Sequence, residues 1–152
     1  AGVSGIEMPE EEWHAARLAA GVPEWGSDYR AAEVFPTDIN MDMMSGIDYK
    51  KGCFVGQEVA SRMKRKGKIR KRTVKVTGEA LEAGADIVAG TPIGSLTSVA
   101  GSVGLALIRT DRLAKAEQDG LTFTCNGASV TFELTEWQRA EVDSHIAEPA
   151  GE

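Results

Sequence analysis

Arg72-Thr73-Val74-Lys75-Val76-Thr77 alternates charged and β-branched residues, the period-two pattern of a strand with one face buried. Downstream, short apolar runs recur at Ile87–Ala89, Ile93–Thr97, Val103–Ile108, Leu121–Cys125 and Ser129–Leu134. Glycines at positions 78, 84, 90, 94, 101, 104, 120 and 127 separate them. Many short strands with glycine-rich turns point to a small antiparallel β-barrel or sandwich. Gly84-Ala85-Asp86 and Gly90-Thr91-Pro92-Ile93-Gly94 suit hairpin turns. Thr110 to Ala116 reads as one helical turn between strands, and the acidic chain after Trp137 as a tail that frays.

Upstream of the strands the texture changes. Pro9 to Ala20 reads as a helix, with Glu10, Glu11 and Glu12 at the positive end of its dipole and Gly21 closing it. Pro23, Gly26 and Pro36 punctuate a loop from Gly21 to Asn40. Met41 to Ile47 suits a short helical turn with Met43 and Met44 packed inward. A further helix is expected from Gly56 through Val59, Met63 and Lys64 to Gly67. Trp13, Trp25 and Trp137 read as packing residues, and Cys125 as a core residue of an alternating strand. The expected class is α+β: a helix-and-loop segment over 1–67, a β-barrel over 68–140 and an acidic tail over 141–152. The first segment has too little periodic apolar character to close its own core, so the chain reads as the C-terminal part of a larger protein.

Composition narrows the function classes. With 42% hydrophobic and 26% charged residues, the chain is not disordered throughout. No apolar run approaches the roughly 20 residues of a membrane-spanning helix, so no membrane partner is expected. Ala1 to Glu12 holds acids and no basic residue, unlike a signal or transit peptide, and a cytoplasmic location is expected. Two cysteines make no disulfide framework, and with His14 and His145 they match no zinc spacing. The net charge of −6 conceals a run of nine basic residues without an acid: Arg62, Lys64, Arg65, Lys66, Lys68, Arg70, Lys71, Arg72 and Lys75. Such a concentrated patch suits an anionic partner, and a solvated charged turn is its plainer reading. Without interleaved aromatics the run is no platform for base stacking.

The chemistry gathers at Lys50-Lys51-Gly52-Cys53-Phe54-Val55-Gly56-Gln57-Glu58. Lysines beside Cys53, or the N-terminus of a following helix, would favour its thiolate. Gly52 and Gly56 permit a tight turn, and Gln57 and Glu58 can satisfy open backbone donors where a helix starts. Cys53 is then either a reactive or ligand-contacting thiol tuned by Lys51, or a small buried cysteine at a loop-to-helix junction.

The string Ile47-Asp48-Tyr49-Lys50-Lys51-Gly52-Cys53-Phe54-Val55-Gly56-Gln57-Glu58 closely resembles the signature of the YgfZ family. These are folate-binding proteins linked to iron–sulfur cluster maintenance and related in fold to the T-protein (aminomethyltransferase) of glycine cleavage. The likeness extends to Arg17-Leu18-Ala19-Ala20-Gly21-Val22-Pro23, to Pro36 with Asn40-Met41-Asp42, and to the basic stretches Ser61 to Gly67 and Arg70 to Arg72. Ile93-Gly94 and Gly104 to Arg109 look like the family's C-terminal barrel. The resemblance implies tetrahydrofolate as cofactor, with Arg17 and Asn40 as candidate folate contacts and Cys53 with Lys51 as the functional pair. It implies iron–sulfur clients, tRNA-modifying enzymes among them, with tRNA contact indirect. Tetrahydrofolate-dependent aminomethyl transfer is the alternative activity, although the T-protein's catalytic aspartate has no counterpart in this sequence. On the residues alone, Arg17 is equally an exposed helix arginine and Asn40 a turn residue.

Overall fold

The computed structural model describes residues 5, 7–52, 55, 56, 58 and 69–147. Among these, helix α1 spans Glu10–Ala19 and strand β1 Lys71–Gly78. Strands β2 (Asp86–Ala89), β3 (Thr91–Ala100) and β4 (Val103–Arg109) follow. Helix α2 covers Thr110–Gln118, strands β5 and β6 cover Thr124–Cys125 and Ala128–Glu133, and helix α3 covers Glu136–Ala147. The strands form a closed antiparallel barrel in the order β1-β4-β3-β2-β5-β6, with β6 returning to β1. The α+β class with a small antiparallel barrel is the observed one.

Alternation fills the barrel. Val74, Val76, Ile87, Ile93, Leu96, Ala106, Ile108, Cys125 and Val130 point inward and form one buried cluster with Leu113, Ala114, Ala116 and Val142 from α2 and α3. Two register shifts, at Ile87/Val88 and Leu96/Ser98, supply the bends that closure needs. Gly94 faces Ile108 across β3–β4, where a Cβ would overlap Leu107 O and lie 2.6 Å from Ile108 Cδ1. Phe123 and Phe132 meet edge to face, centroids 5.0 Å apart, and pack against the same cluster.

A second, smaller packing layer lies outside. Leu18 and Leu105 are fully buried and Ile39 nearly so, yet none belongs to the interior cluster. They join α1 and the loop before β1 to the outer face of the sheet. That cover explains why Arg72, Thr73 and Val74 are buried in succession, where an exposed outer face would have left alternate residues in water.

Several expectations change. Residues 138–147, expected to belong to a fraying tail, are part of α3, whose Gln138 and Val142 are buried. Thr135 and Gln138 cap it reciprocally, Thr135 N donating to Gln138 Oε1 at 2.9 Å and Gln138 N to Thr135 Oγ1 at 3.4 Å. Met43 and Met44 are about half exposed, because the 41–45 turn lies on the surface. Trp13 and Trp25 are also exposed, and of the three tryptophans only Trp137 is partly covered. The turn at Gly90 joins β2 to β3, but Thr91 to Gly94 already belong to β3, and Gly84-Ala85-Asp86 leads into β2 without joining two strands. Leu121 to Phe123 lie outside β5. Of the helix expected from Gly56 to Gly67, only Gly56, in a turn, and Glu58, in helical conformation, are among the described residues. Replacing Gly94 by Ala is expected to cost roughly 1–3 kcal/mol through this overlap. A thermal or urea melt checks it; an unchanged midpoint would contradict the close strand crossing.

Candidate functional site

Arg72 leaves β1 at the barrel end and is 1% exposed. Its Nε and Nη2 donate to Glu141 of α3 at 2.8 and 2.6 Å, a two-point carboxylate fork. Its Nη1 and Nη2 donate to both oxygens of Asp42 at 2.7 and 3.0 Å, and Nη1 also reaches Thr37 O at 2.7 Å. The guanidinium lies 4.9 Å from the Trp137 ring centroid. Burial alone would depress its pKa, but the hydrogen bonds and charges of Glu141 and Asp42 outweigh that and raise it. Arg72 is therefore not part of an anionic-partner surface: its charge is already spent on two carboxylates.

One residue on, the outer edge of β1 is open, since β6 pairs only from Lys75 onward. The 37–42 loop closes it. Thr73 N and Oγ1 donate to Asp38 O at 2.7 and 3.0 Å. Thr73 O accepts from Asn40 Nδ2 at 2.7 Å and Gln138 Nε2 at 2.9 Å. These contacts fix the amide orientations, because only the NH2 ends can face a carbonyl. Asn40 adopts φ 63°, a left-handed conformation that Asn tolerates, and is 4% exposed. Its Oδ1 is buried without a hydrogen-bond partner among the described residues. Asn40, Met44, Lys75, Glu133, Trp137 and the C-terminal end of α1 surround a cavity of about 280 Å3.

Arg17, the other candidate folate contact, is neither exposed nor open to a ligand. It is 4% exposed, and Asp28 pairs with its Nη1 at 2.5 Å. Val22 O, His14 Nδ1 and Ser98 Oγ take its remaining terminal N–H groups at 3.0, 3.1 and 3.3 Å. Its Nε is 3.2 Å from Glu24 Oε2, within ion-pair reach but off hydrogen-bond geometry. Asp28 is held in turn by Glu24 N at 2.9 Å and Thr97 Oγ1 at 2.6 Å. The sequence carried no signal for Asp28, which sits in a loop and acts across 69 residues. Arg17 and Asp28 thus rivet α1 to β3, and no terminal N–H of Arg17 remains to fork a folate carboxylate.

Cys53 and Gln57 lie outside the described residues, as do Arg62, Lys64, Arg65, Lys66 and Lys68. The approach to Cys53 is described. Asp48 Oδ1 accepts from Lys50 N at 2.8 Å, an Asx-type turn. Burial and the charge of Asp42 raise the Tyr49 phenol pKa while Arg72 opposes them, so Tyr49 is within electrostatic reach of the Arg72 cluster. Lys51, Gly52, Gly56 and Glu58 are exposed, and Gly56 has φ 85°, where a side chain would be strained. Cys125 is 1% exposed inside the barrel, as its strand pattern predicts. No cluster suited to a metal occurs among the described residues.

Asp38 connects this geometry to pH. Burial raises its carboxyl above the ordinary 3.8, against the opposing pull of Phe35 N, Lys71 and Arg72. A raised folded pKa means that the ionised form costs stability at neutral pH, and that this cost fades as the pH falls through the folded and unfolded values. Asp38→Asn, which keeps an acceptor for Phe35 N, is expected to be at least as stable as the parent at pH 7, with any gain vanishing below about pH 4. Melts across that range check this; a variant less stable at pH 7 than at pH 4, relative to the parent, would contradict it.

Comparison with known proteins places these features. Residues 70–140 match the family model described as "CAF17, C-terminal beta-barrel domain". The chain is 45% identical over 68 residues to "Iron-sulfur cluster assembly factor IBA57 homolog, mitochondrial" of Neurospora crassa, covering 45% of this chain and 16% of that protein. It is 31% identical over 166 positions to the protein of that name in Coccidioides immitis, covering 90% of this chain and 38% of the relative. It is 31% identical over 110 residues to the human "Iron-sulfur cluster assembly factor IBA57, mitochondrial", covering 67% and 31%. The chain thus spans 16% to 38% of the length of these relatives. Their names correct the expected cytoplasmic location and point to the mitochondrion. That expectation rested on Ala1 to Glu12, which says nothing of any residues before Ala1. The relatives named here are IBA57 factors and not YgfZ proteins, so the signature's resemblance holds at the level of this wider group. By sequence, residues 70–140 are similar to the CAF17 C-terminal β-barrel domain, and most of the chain to iron–sulfur cluster assembly factors of the IBA57 kind.

Proposed function

We propose that this chain is the cysteine-bearing and barrel portion of a factor that supports iron–sulfur cluster assembly, with Cys53 as the thiol that meets the cluster. The similarity to relatives named as assembly factors carries the reading. The barrel sharpens it. Of the chain's two cysteines, Cys125 is sealed among Ile87, Val130 and their neighbours, leaving Cys53 as the remaining candidate. The thiolate is the iron-binding form, and Lys50 and Lys51 just upstream favour it. Clusters are typically held by four thiolates, so one cysteine cannot carry a cluster alone. The missing ligands come from outside this chain, from any further part of the protein, a partner protein, a second copy or a small thiol, and the cluster is cargo. Tetrahydrofolate as a bound small molecule, and tRNA-modifying enzymes among the clients, are proposed on the signature's resemblance. Arg17 does not fit the folate role. Asn40 and the cavity beside it are where this chain would meet such a ligand.

Anaerobic incubation of the chain with iron, sulfide and glutathione tests the thiol assignment. Visible absorption bands of a cluster are expected for the parent and for Cys125→Ser, and are expected to be lost in Cys53→Ser. Bands of parental strength in Cys53→Ser would remove Cys53 from the reaction. Calorimetry with 5-formyl-tetrahydrofolate, on this chain and on a version extended to the length of the relatives, tests the ligand: saturable heat in either supports folate, and its absence from both removes it.

A further inference from the structure

We propose that the barrel end carrying Arg70, Lys71, Arg109 and Arg112 is a docking surface for an acidic protein. The inference is independent of Cys53 and of the cluster. Two described residues of the basic run do not join this surface: Arg72 is buried between Asp42 and Glu141, and Lys75 pairs with Glu133 at 2.7 Å and with Ala19 O at 3.1 Å. The fold replaces them with two arginines from elsewhere in the chain. Lys71 and Arg109 are direct partners across β1 and β4, so their side chains leave the same face of the sheet. Like charges placed opposite one another in an antiparallel pair cost stability. Arg70 is exposed and its carbonyl accepts from Thr110 N at 3.0 Å, which puts it beside Arg109. Arg112, also exposed, starts the next turn, and its Nη1 rests on Pro92 O at 2.7 Å, leaving the rest of its fork to solvent.

Among the described residues, one carboxylate pairs directly with this group. Asp111 accepts from Arg109 Nη2 at 2.7 Å and Nε at 3.1 Å. Although burial works against it, the Arg109 contacts hold the Asp111 carboxyl below its ordinary value, so it is fully ionised and already engaged. Asp38 is near enough to feel Lys71 but is buried. His145, from α3, reaches Thr110 Oγ1 at 3.1 Å and adds no negative charge. Among the described residues, Arg70, Lys71 and Arg112 therefore face solvent, Arg109 is partly exposed in its pair with Asp111, and Asp119 near Arg112 is paired with Lys115.

The chemistry of the surface selects among anions. No aromatic residue occurs in 69–71 or 109–116, so nucleotide bases find no aromatic platform in these segments. Outside the basic run the chain holds 8 basic residues against 23 acids, and a nucleic-acid backbone running past this edge would meet that acidic remainder. Arginine forks pair with carboxylates at two points, and a compact cluster of Asp and Glu side chains matches four cations on a short strand edge. Contacts of this kind act mainly through association rate and salt dependence.

Fluorescence anisotropy of the whole chain with a labelled octaglutamate peptide, and separately with a short labelled RNA duplex, tests the proposal. Octaglutamate is expected to bind at low salt and to weaken steadily towards about 0.3 M salt. The double variant Arg70→Glu/Arg112→Glu is expected to weaken it about tenfold, near 1.4 kcal/mol. Arg30→Glu, an exposed arginine in the loop after α1, is expected to leave it within about twofold. Circular dichroism establishes that each variant is folded, and the milder Arg112→Gln is expected to show a smaller loss in the same direction. Undiminished peptide binding by both Arg112 variants would overturn the proposal, as would no peptide binding at low salt. Tighter binding of the duplex than of the peptide would overturn it in favour of a nucleic-acid surface.

Discussion

A single buried guanidinium, that of Arg72, joins the three parts of this molecule. It starts on a barrel strand and is gripped by Glu141 of the last helix and by Asp42 of the loop that leads toward Cys53. Removing one partner of such a cluster leaves uncompensated buried charge and typically costs about 3–5 kcal/mol, whereas an apolar replacement of the whole group can be neutral. What the cluster supplies is therefore geometry more than net stability. It holds Thr37, Asp42 and Trp137 around one point, and the loop it positions closes the open edge of β1 at Thr73.

That geometry bears on the proposed chemistry through Tyr49, four residues before Cys53 and within reach of the charges of Asp42 and Arg72. The chain thus leaves the cluster at Asp42 and returns near it just before the Lys-Gly-Cys string. The barrel contributes by exclusion. By taking Cys125 into its interior it leaves Cys53 as the candidate thiol for the proposed iron chemistry, and a cluster met there would be shared. The Arg17–Asp28 rivet plays the equivalent part for α1, which makes an arginine that resembled a ligand contact into a structural one.

The barrel was legible because a two-residue period survives in Arg72 to Thr77 and in Val103 to Ile108, and because glycines mark the turns. Its strand ends were less so: Leu121 to Phe123 are apolar enough for a strand but lie outside the ladder. The last helix was overlooked although its signal is local, a Thr-x-x-Gln capping box at Thr135–Gln138, masked by the acidic residues C-terminal to it. Arg72 and Arg17 were misjudged for a common reason. A charged residue in a strand or on a helix reads as exposed unless its counterions are known, and Glu141 and Asp42 lie 69 and 30 residues away. The exposed Trp13, Trp25, Met43 and Met44 show the converse, since apolar character alone does not say what covers a side chain. The signature around Cys53 was recognisable only as a string, because nothing in its composition distinguishes a working thiol from a buried one.

Native-state hydrogen exchange on Arg72→Met tests the central claim, that one guanidinium holds the cysteine-proximal loop and the last helix to the barrel. The account predicts that amides of the 38–46 loop and of α3 around Val142 lose protection together while the β3–β4 amides keep theirs. Unchanged protection in the loop and helix, or an equal loss across the barrel, would contradict it.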